Sequence, residues 1–131
     1  MSAAPEMFQR GLFERDAAGP YLLGSQCRAC QRTFYPRTVL CLDCLSSDLE
    51  ERRLPRHGTL ECFTTVQMPS INIAPPYSVG YVQLGEGLRV FAPLEAGHDA
   101  LATGMTMRLA DYRLGREPQI RLAYCFVPVD P

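Results

Sequence analysis

CRACQRTFYPRTVLCLDC, running from Cys27 to Cys44, contains two CxxC pairs separated by ten residues. Two residues between thiolates let the backbone of a tight turn aim both sulfurs at one ion, and a second such turn completes a tetrahedral shell. The spacing therefore predicts that Cys27, Cys30, Cys41 and Cys44 ligate one Zn2+. With every position filled by sulfur, no site is left for water or substrate, so the metal holds the fold and performs no chemistry. A rubredoxin-like iron centre is the rival reading. Gln31 and Leu45 stand where the glycines of such redox knuckles usually lie.

Outward from the cysteines, short β signals alternate with the knuckles. Tyr21 to Leu23 precedes the first, Thr33 to Tyr35 follows it, and Leu49 to Arg53 leaves the second. This order predicts a rubredoxin-like zinc ribbon over residues 20–54. Before it, Pro5 opens a segment with Phe8 and Leu12 four apart and Gly19-Pro20 at its end. That pattern predicts an N-terminal helix within residues 5–19, docked through its apolar face because so short a helix is marginal alone. Pro55 and Gly58 mark the next boundary.

Beyond it, helical periodicity gives way to branched and aromatic runs: Thr59 to Gln67, Tyr77 to Leu84, Leu88 to Leu94, Met105 to Tyr112 and Gln119 to Val127. Five strands in so short a stretch close most economically as a Greek-key barrel of the OB type, which removes its own edges. The expected fold is thus mainly β, with the barrel over residues 55–131. Gly85-Glu86-Gly87 reads as a hairpin turn, since no helix follows it to make a phosphate loop. The longest uncommitted loop is Pro69 to Pro76, whose Ile71 and Ile73 are apolar beyond what a solvated loop requires.

Composition narrows the function. The 131 residues carry a net charge of −1, without the positive field that nonspecific nucleic-acid binding needs. All 13 cations are arginines. A lysine Schiff base is thereby excluded, and Arg is left as the permanently charged group able to grip phosphate. No apolar run approaches a membrane span, and MSAAPEMFQRG lacks the order of a signal peptide, so the cytoplasm is the expected compartment. Cys62 and Cys125 lie in strand-like stretches and are expected to be buried, inert thiols. His57 and His98 have no partner nameable from sequence, and no nucleophile elbow or comparable signature is present.

The order of these features carries a resemblance. CxxC, Phe34-Tyr35-Pro36-Arg37, CxxC, Gly58-Thr59-Leu60, Phe63-Thr64-Thr65, Pro75-Pro76-Tyr77 and the Leu84 to Gly87 turn are similar to the zinc-ribbon plus OB-fold proteins that accompany thiolase-fold enzymes on acyl-CoA substrates. Gln31 departs from the glycine usual after the second cysteine. The resemblance implies a non-catalytic accessory subunit in a complex with a thiolase, a thiolase-like aldolase, an archaeal hydroxymethylglutaryl-CoA synthase system or a ketosynthase-fold acyltransferase. The nucleophilic cysteine would lie on the partner, and the assembly would hold two copies of each subunit. A CoA thioester would be a shared ligand. Contacts to it or to the partner are expected from Arg28, Arg32 and Arg37 on the ribbon and from Ile71, Ile73 and Tyr77 beside the loop. The alternative is a single-stranded nucleic-acid binder, since ribbons and OB barrels both host that function. Acidic residues dilute the barrel's arginines and argue against it.

Overall fold

The computed structural model describes residues 6–7, 12–69, 74–85, 87–114 and 121–129. Its first elements correct the expected helix: the described parts of that segment are strands, β1 (Glu6–Met7) and β2 (Phe13–Asp16). β2 folds back on β3 (Gly19–Cys27), with Phe13 opposite Leu22 and Asp16 opposite Gly19. The turn between them is closed by the Asp16 carboxylate, which accepts the Ala18 N–H at 2.9 Å, and by Gly19 at φ +116°. A few helically spaced apolar residues offer little free energy of their own. The open edge of β3 offers a row of backbone partners, and Phe13 gains full burial there.

β3 organises the ribbon. Its first half pairs with β2, and its second half pairs with both β4 (Thr33–Phe34) and β5 (Leu49–Arg53), all antiparallel. Gly24 lies where these ladders meet. A Cβ there would come within 2.6 Å of the Phe34 carbonyl oxygen, so only glycine fits the approach.

The second unit is the expected five-stranded barrel. β6 (His57–Val66), β7 (Tyr77–Gln83) and β8 (Arg89–Leu94) form an antiparallel meander, followed by β9 (Thr106–Leu114) and β10 (Arg121–Pro128). β10 pairs with β9 and, in parallel, with β8, while β9 returns to β6. The circuit β6-β7-β8-β10-β9 therefore closes on itself in the OB order. β1 adds a short parallel pairing outside β10.

Alternation places Val90, Ala92 and Leu94 of β8 inside and Arg89 and Phe91 outside. Phe13, Leu22 and Leu54 from the ribbon side join Leu60, Val82, Met107, Leu109 and Phe126 in one continuous core. Ribbon and barrel thus bury a common apolar interior, and the small ribbon draws on it as well as on its metal.

One burial expectation fails. Cys62 is exposed, because the β6–β7 register slips between Leu60 and Cys62 and the bulge interrupts the inside–outside alternation. Cys125 is buried as expected, and burial together with the nearby Glu95 carboxylate pushes its thiol well above the ordinary range. That disfavors the thiolate a nucleophile requires.

Candidate metal centre

The two CxxC turns are built alike. Gln31 N–H donates to the Cys27 carbonyl at 2.8 Å and Leu45 N–H to the Cys41 carbonyl at 3.0 Å; Cys27 N–H reaches the Arg32 carbonyl and Cys41 N–H the Ser46 carbonyl, both at 2.8 Å. Each turn closes on a residue in the left-handed region, Gln31 at φ 67° and Leu45 at φ 65°. A side chain there costs about 1 kcal/mol or more relative to glycine, so the knuckle geometry is held against local preference. The missing glycines noted in the sequence leave the turn type unchanged.

The turns bring all four sulfurs within 4.8 Å of one another. Cys27 and Cys44 sulfurs lie 3.6 Å apart, as do those of Cys30 and Cys41. A tetrahedron with Zn–S bonds near 2.3 Å has edges of roughly 3.8 Å, so the donor set fits zinc in identity, number and spacing. Backbone N–H groups of Cys44 (3.3 Å) and Asp43 (3.4 Å) point at the Cys41 sulfur. Led by the Cys44 N–H, they draw the Cys41 thiol down to about 6; the Cys30 N–H likewise lowers that of Cys27. Both shifts favor the thiolate a metal needs, while burial and the neighbouring sulfurs push the Cys30 and Cys44 thiols upward, Cys44 to about 12, a crowding that a bound cation relieves. Bound zinc would cross-link the two turns and leave no open coordination position.

The ribbon arginines are placed unequally. Arg28 pairs with Asp48 at 2.8 Å and Glu50 at 3.6 Å, and Arg37 with Glu51 at 2.7 Å. Arg32 reaches Asp43 only at 3.8 Å and lines a cleft between ribbon and barrel. Tyr77 opens β7 and borders a second cleft of about 380 Å³, with Thr65, Ser78, His98 and Tyr112 on its walls. Ile71 and Ile73 lie outside the described residues.

Three features were not legible from sequence. His98 gains a partner through folding: its Nδ1 lies 2.8 Å from the Thr65 hydroxyl, which is also 3.1 Å from that of Ser78. Tyr81 and Phe91 form an exposed aromatic pair, a consequence of strand alternation once the register is known. Around the second knuckle, Val39 (88% exposed), Leu42 (72%) and Leu45 (70%) project into solvent.

A four-sulfur ribbon sharing its core with a closed five-stranded barrel defines the class of zinc-ribbon plus OB-fold proteins. Residues 15–50 match the rubredoxin-like zinc ribbon domain of ChsH2 and residues 51–111 its C-terminal OB-fold domain, and the chain belongs to the ChsH2 family. It is 37% identical over 90 residues to the benzoylsuccinyl-CoA thiolase subunit BbsA of Thauera aromatica, covering 67% of this chain and 62% of that one. The subunit of the same name from Geobacter metallireducens is 36% identical over 85 residues, 65% and 58% of the two chains. The chain spans about three-fifths of the length of these curated relatives. Among solved structures, an Ltp2-ChsH2(DUF35) aldolase superposes with a TM-score of 0.68 at 25% identity, over 82% of this chain and 84% of that one. A DUF35 protein of unknown function from Sulfolobus solfataricus gives 0.52 at 15% identity, covering 83% and 76%, a likeness of fold alone. Among the described residues, no helix is long and apolar enough to cross a membrane.

Proposed function

We propose that this chain is a non-catalytic, zinc-binding subunit of a thiolase-like acyl-CoA complex, in which it scaffolds a thiolase-fold partner and helps shape the acyl-CoA site. The single observation that carries the reading is the apolar tip of the second knuckle. Val39, Leu42 and Leu45 stand exposed within seven residues, on a turn too small to bury them in its own fold. Apolar side chains concentrated at one point mark a surface that another protein covers. That relatives of this chain are named as thiolase subunits, and a similar structure as an aldolase, supports a thiolase-fold protein as that partner.

The partner supplies the reacting groups, and the assembly holds two copies of each subunit in the cytoplasm. On this chain, Tyr77 with Ile71 and Ile73 would border the acyl channel. Arg32 is the ribbon arginine best placed for CoA phosphates; Arg28 and Arg37, with their shorter ion pairs, would serve the seam with the partner.

Co-expression with the thiolase-fold protein, followed by native mass spectrometry, tests the assignment. A complex of two copies each is expected, with the double substitution Val39→Asp, Leu42→Asp weakening association at least tenfold while zinc content stays at one per chain. Association untouched by that change, or thioester turnover by the isolated chain, would refute it.

A further inference from the structure

The cleft between ribbon and barrel has a volume of about 470 Å³, ample for a nucleotide. Arg32, Phe34 and Tyr35 line it from the ribbon, and Tyr81, Gly87 and Arg89 from the β7–β8 hairpin. Neither unit forms the cleft alone.

Its barrel wall has the makings of a stacking platform. Tyr81 (41% exposed) lines it, and Phe91 (55%), beyond the lining itself, is directly opposed to Tyr81 across β7 and β8 with ring centroids 5.1 Å apart. These are the second and third strands of the barrel, the face on which OB folds receive flat rings. Two large aromatics left in water on one strand pair offer a base a ready surface, and such stacking is tolerant of which base arrives.

Cations flank the rings from both sides. The Arg89 guanidinium lies 5.9 Å from the Tyr81 ring centroid, and Arg32 faces the cleft from the opposite wall. Each has an acidic neighbour, Glu61 at 3.2 Å for Arg89 and Asp43 at 3.8 Å for Arg32. Both are exposed pairs of small worth, and a phosphate carrying up to two charges competes well for a guanidinium fork. The two walls thus present two cations and a ring platform, the complement of a phosphorylated purine nucleoside.

We propose that this cleft binds the adenine nucleotide end of the acyl-CoA, with the base on Tyr81 and the phosphates between Arg32 and Arg89. The identity of the nucleotide rests on the acyl-CoA reading above; the ring-and-cation arrangement does not. A single-stranded nucleic acid offers the same chemistry, and its bases and phosphates are the competitor the test must separate.

The full-length, zinc-loaded chain is titrated calorimetrically with adenosine 3′,5′-bisphosphate, with CoA and with short oligonucleotides of adenosine and thymidine. Saturable binding of the bisphosphate and CoA is expected, weakened about tenfold by Tyr81→Leu and by Arg89→Gln and by a similar factor by Arg32→Gln. Arg53→Gln, paired with Asp16 and outside the cleft, should leave it unchanged. Absence of binding by both small ligands, affinity indifferent to the three cleft variants, or tighter binding of the oligonucleotides than of CoA would each overturn the proposal. Co-elution of the same variants with the thiolase-fold partner separates the two readings. A complex that persists without nucleotide binding removes the cleft assignment alone, whereas CoA binding without any complex upholds the cleft and removes the subunit assignment.

Discussion

The Tyr35 hydroxyl donates to the Tyr124 hydroxyl at 2.9 Å, joining the loop after β4 in the ribbon to β10 in the barrel across 89 positions of sequence. Tyr124 also meets Phe13 edge-on at a centroid distance of 5.7 Å. The β2–β3 hairpin, the loop after β4 and the last barrel strand therefore converge on one phenol. Replacing either tyrosine by Phe should cost about 1 kcal/mol, because it leaves a half-buried hydroxyl without its partner. The double substitution should cost less than the sum. Denaturant unfolding of the two single variants and the double variant measures the coupling, and additive losses would show that the hydroxyls contribute independently.

Alkali should act on the same pair. Burial, reinforced for Tyr35 by the neighbouring Tyr124 hydroxyl, raises both phenols above their ordinary value near 10. Since the folded pKa lies above the unfolded one, the contribution of each neutral phenol is complete below pH 10 and lost as pH rises beyond it. Spectrophotometric titration should show these two of the six tyrosines ionising together with loss of structure. Their titration near pH 10 in an intact fold would contradict the packing.

Cys41→Ser should release zinc and unfold the ribbon, with damage spreading to the barrel through the shared core. Acid should do so reversibly. Backbone N–H groups draw the Cys41 thiol of the metal-free fold down to about 6 from the ordinary thiol range. The stability associated with its thiolate is therefore present above the higher value and lost as pH falls through the lower. Zinc release followed with a chromogenic chelator should increase as pH falls, because the thiolates must take up protons to free the metal. A Cys41→Ser protein that kept full zinc content and stability would contradict the four-thiolate site.

Gln31→Gly should stabilise the first knuckle. At φ 67° glycine removes a steric cost of roughly 1–2 kcal/mol, partly offset by its greater unfolded-chain entropy. The net gain should be a few tenths to about 1 kcal/mol, read as a higher midpoint in thermal unfolding of the zinc-loaded chain. A lower midpoint would indicate that contacts of the Gln31 side chain, such as its amide donating to the Arg28 carbonyl at 3.1 Å, outweigh the strain.

The legible parts of the molecule share a cause. The CxxC pairs and barrel strands repeat over short distances, so spacing and alternation alone locate them. Phe13 shows where such reasoning ends. Its local neighbours suggest a helix, yet its partner is Leu22 across a hairpin, and the backbone bonds offered by β3 outweigh a weak helical preference. Cys62 shows another limit, since one bulge turns an expected interior thiol outward.

The same distinction separates the site's components. Four sulfurs around one point follow from two tight turns, each determined within a few residues, and the closed OB order follows from five strands with no room for open edges. Only the tertiary structure brought Arg32 across from Tyr81 and Arg89, gave His98 its Thr65 partner, and left Val39, Leu42 and Leu45 in solvent. Those relations join residues far apart in the chain or depend on what the rest of the fold leaves uncovered, and neither property is encoded in local spacing.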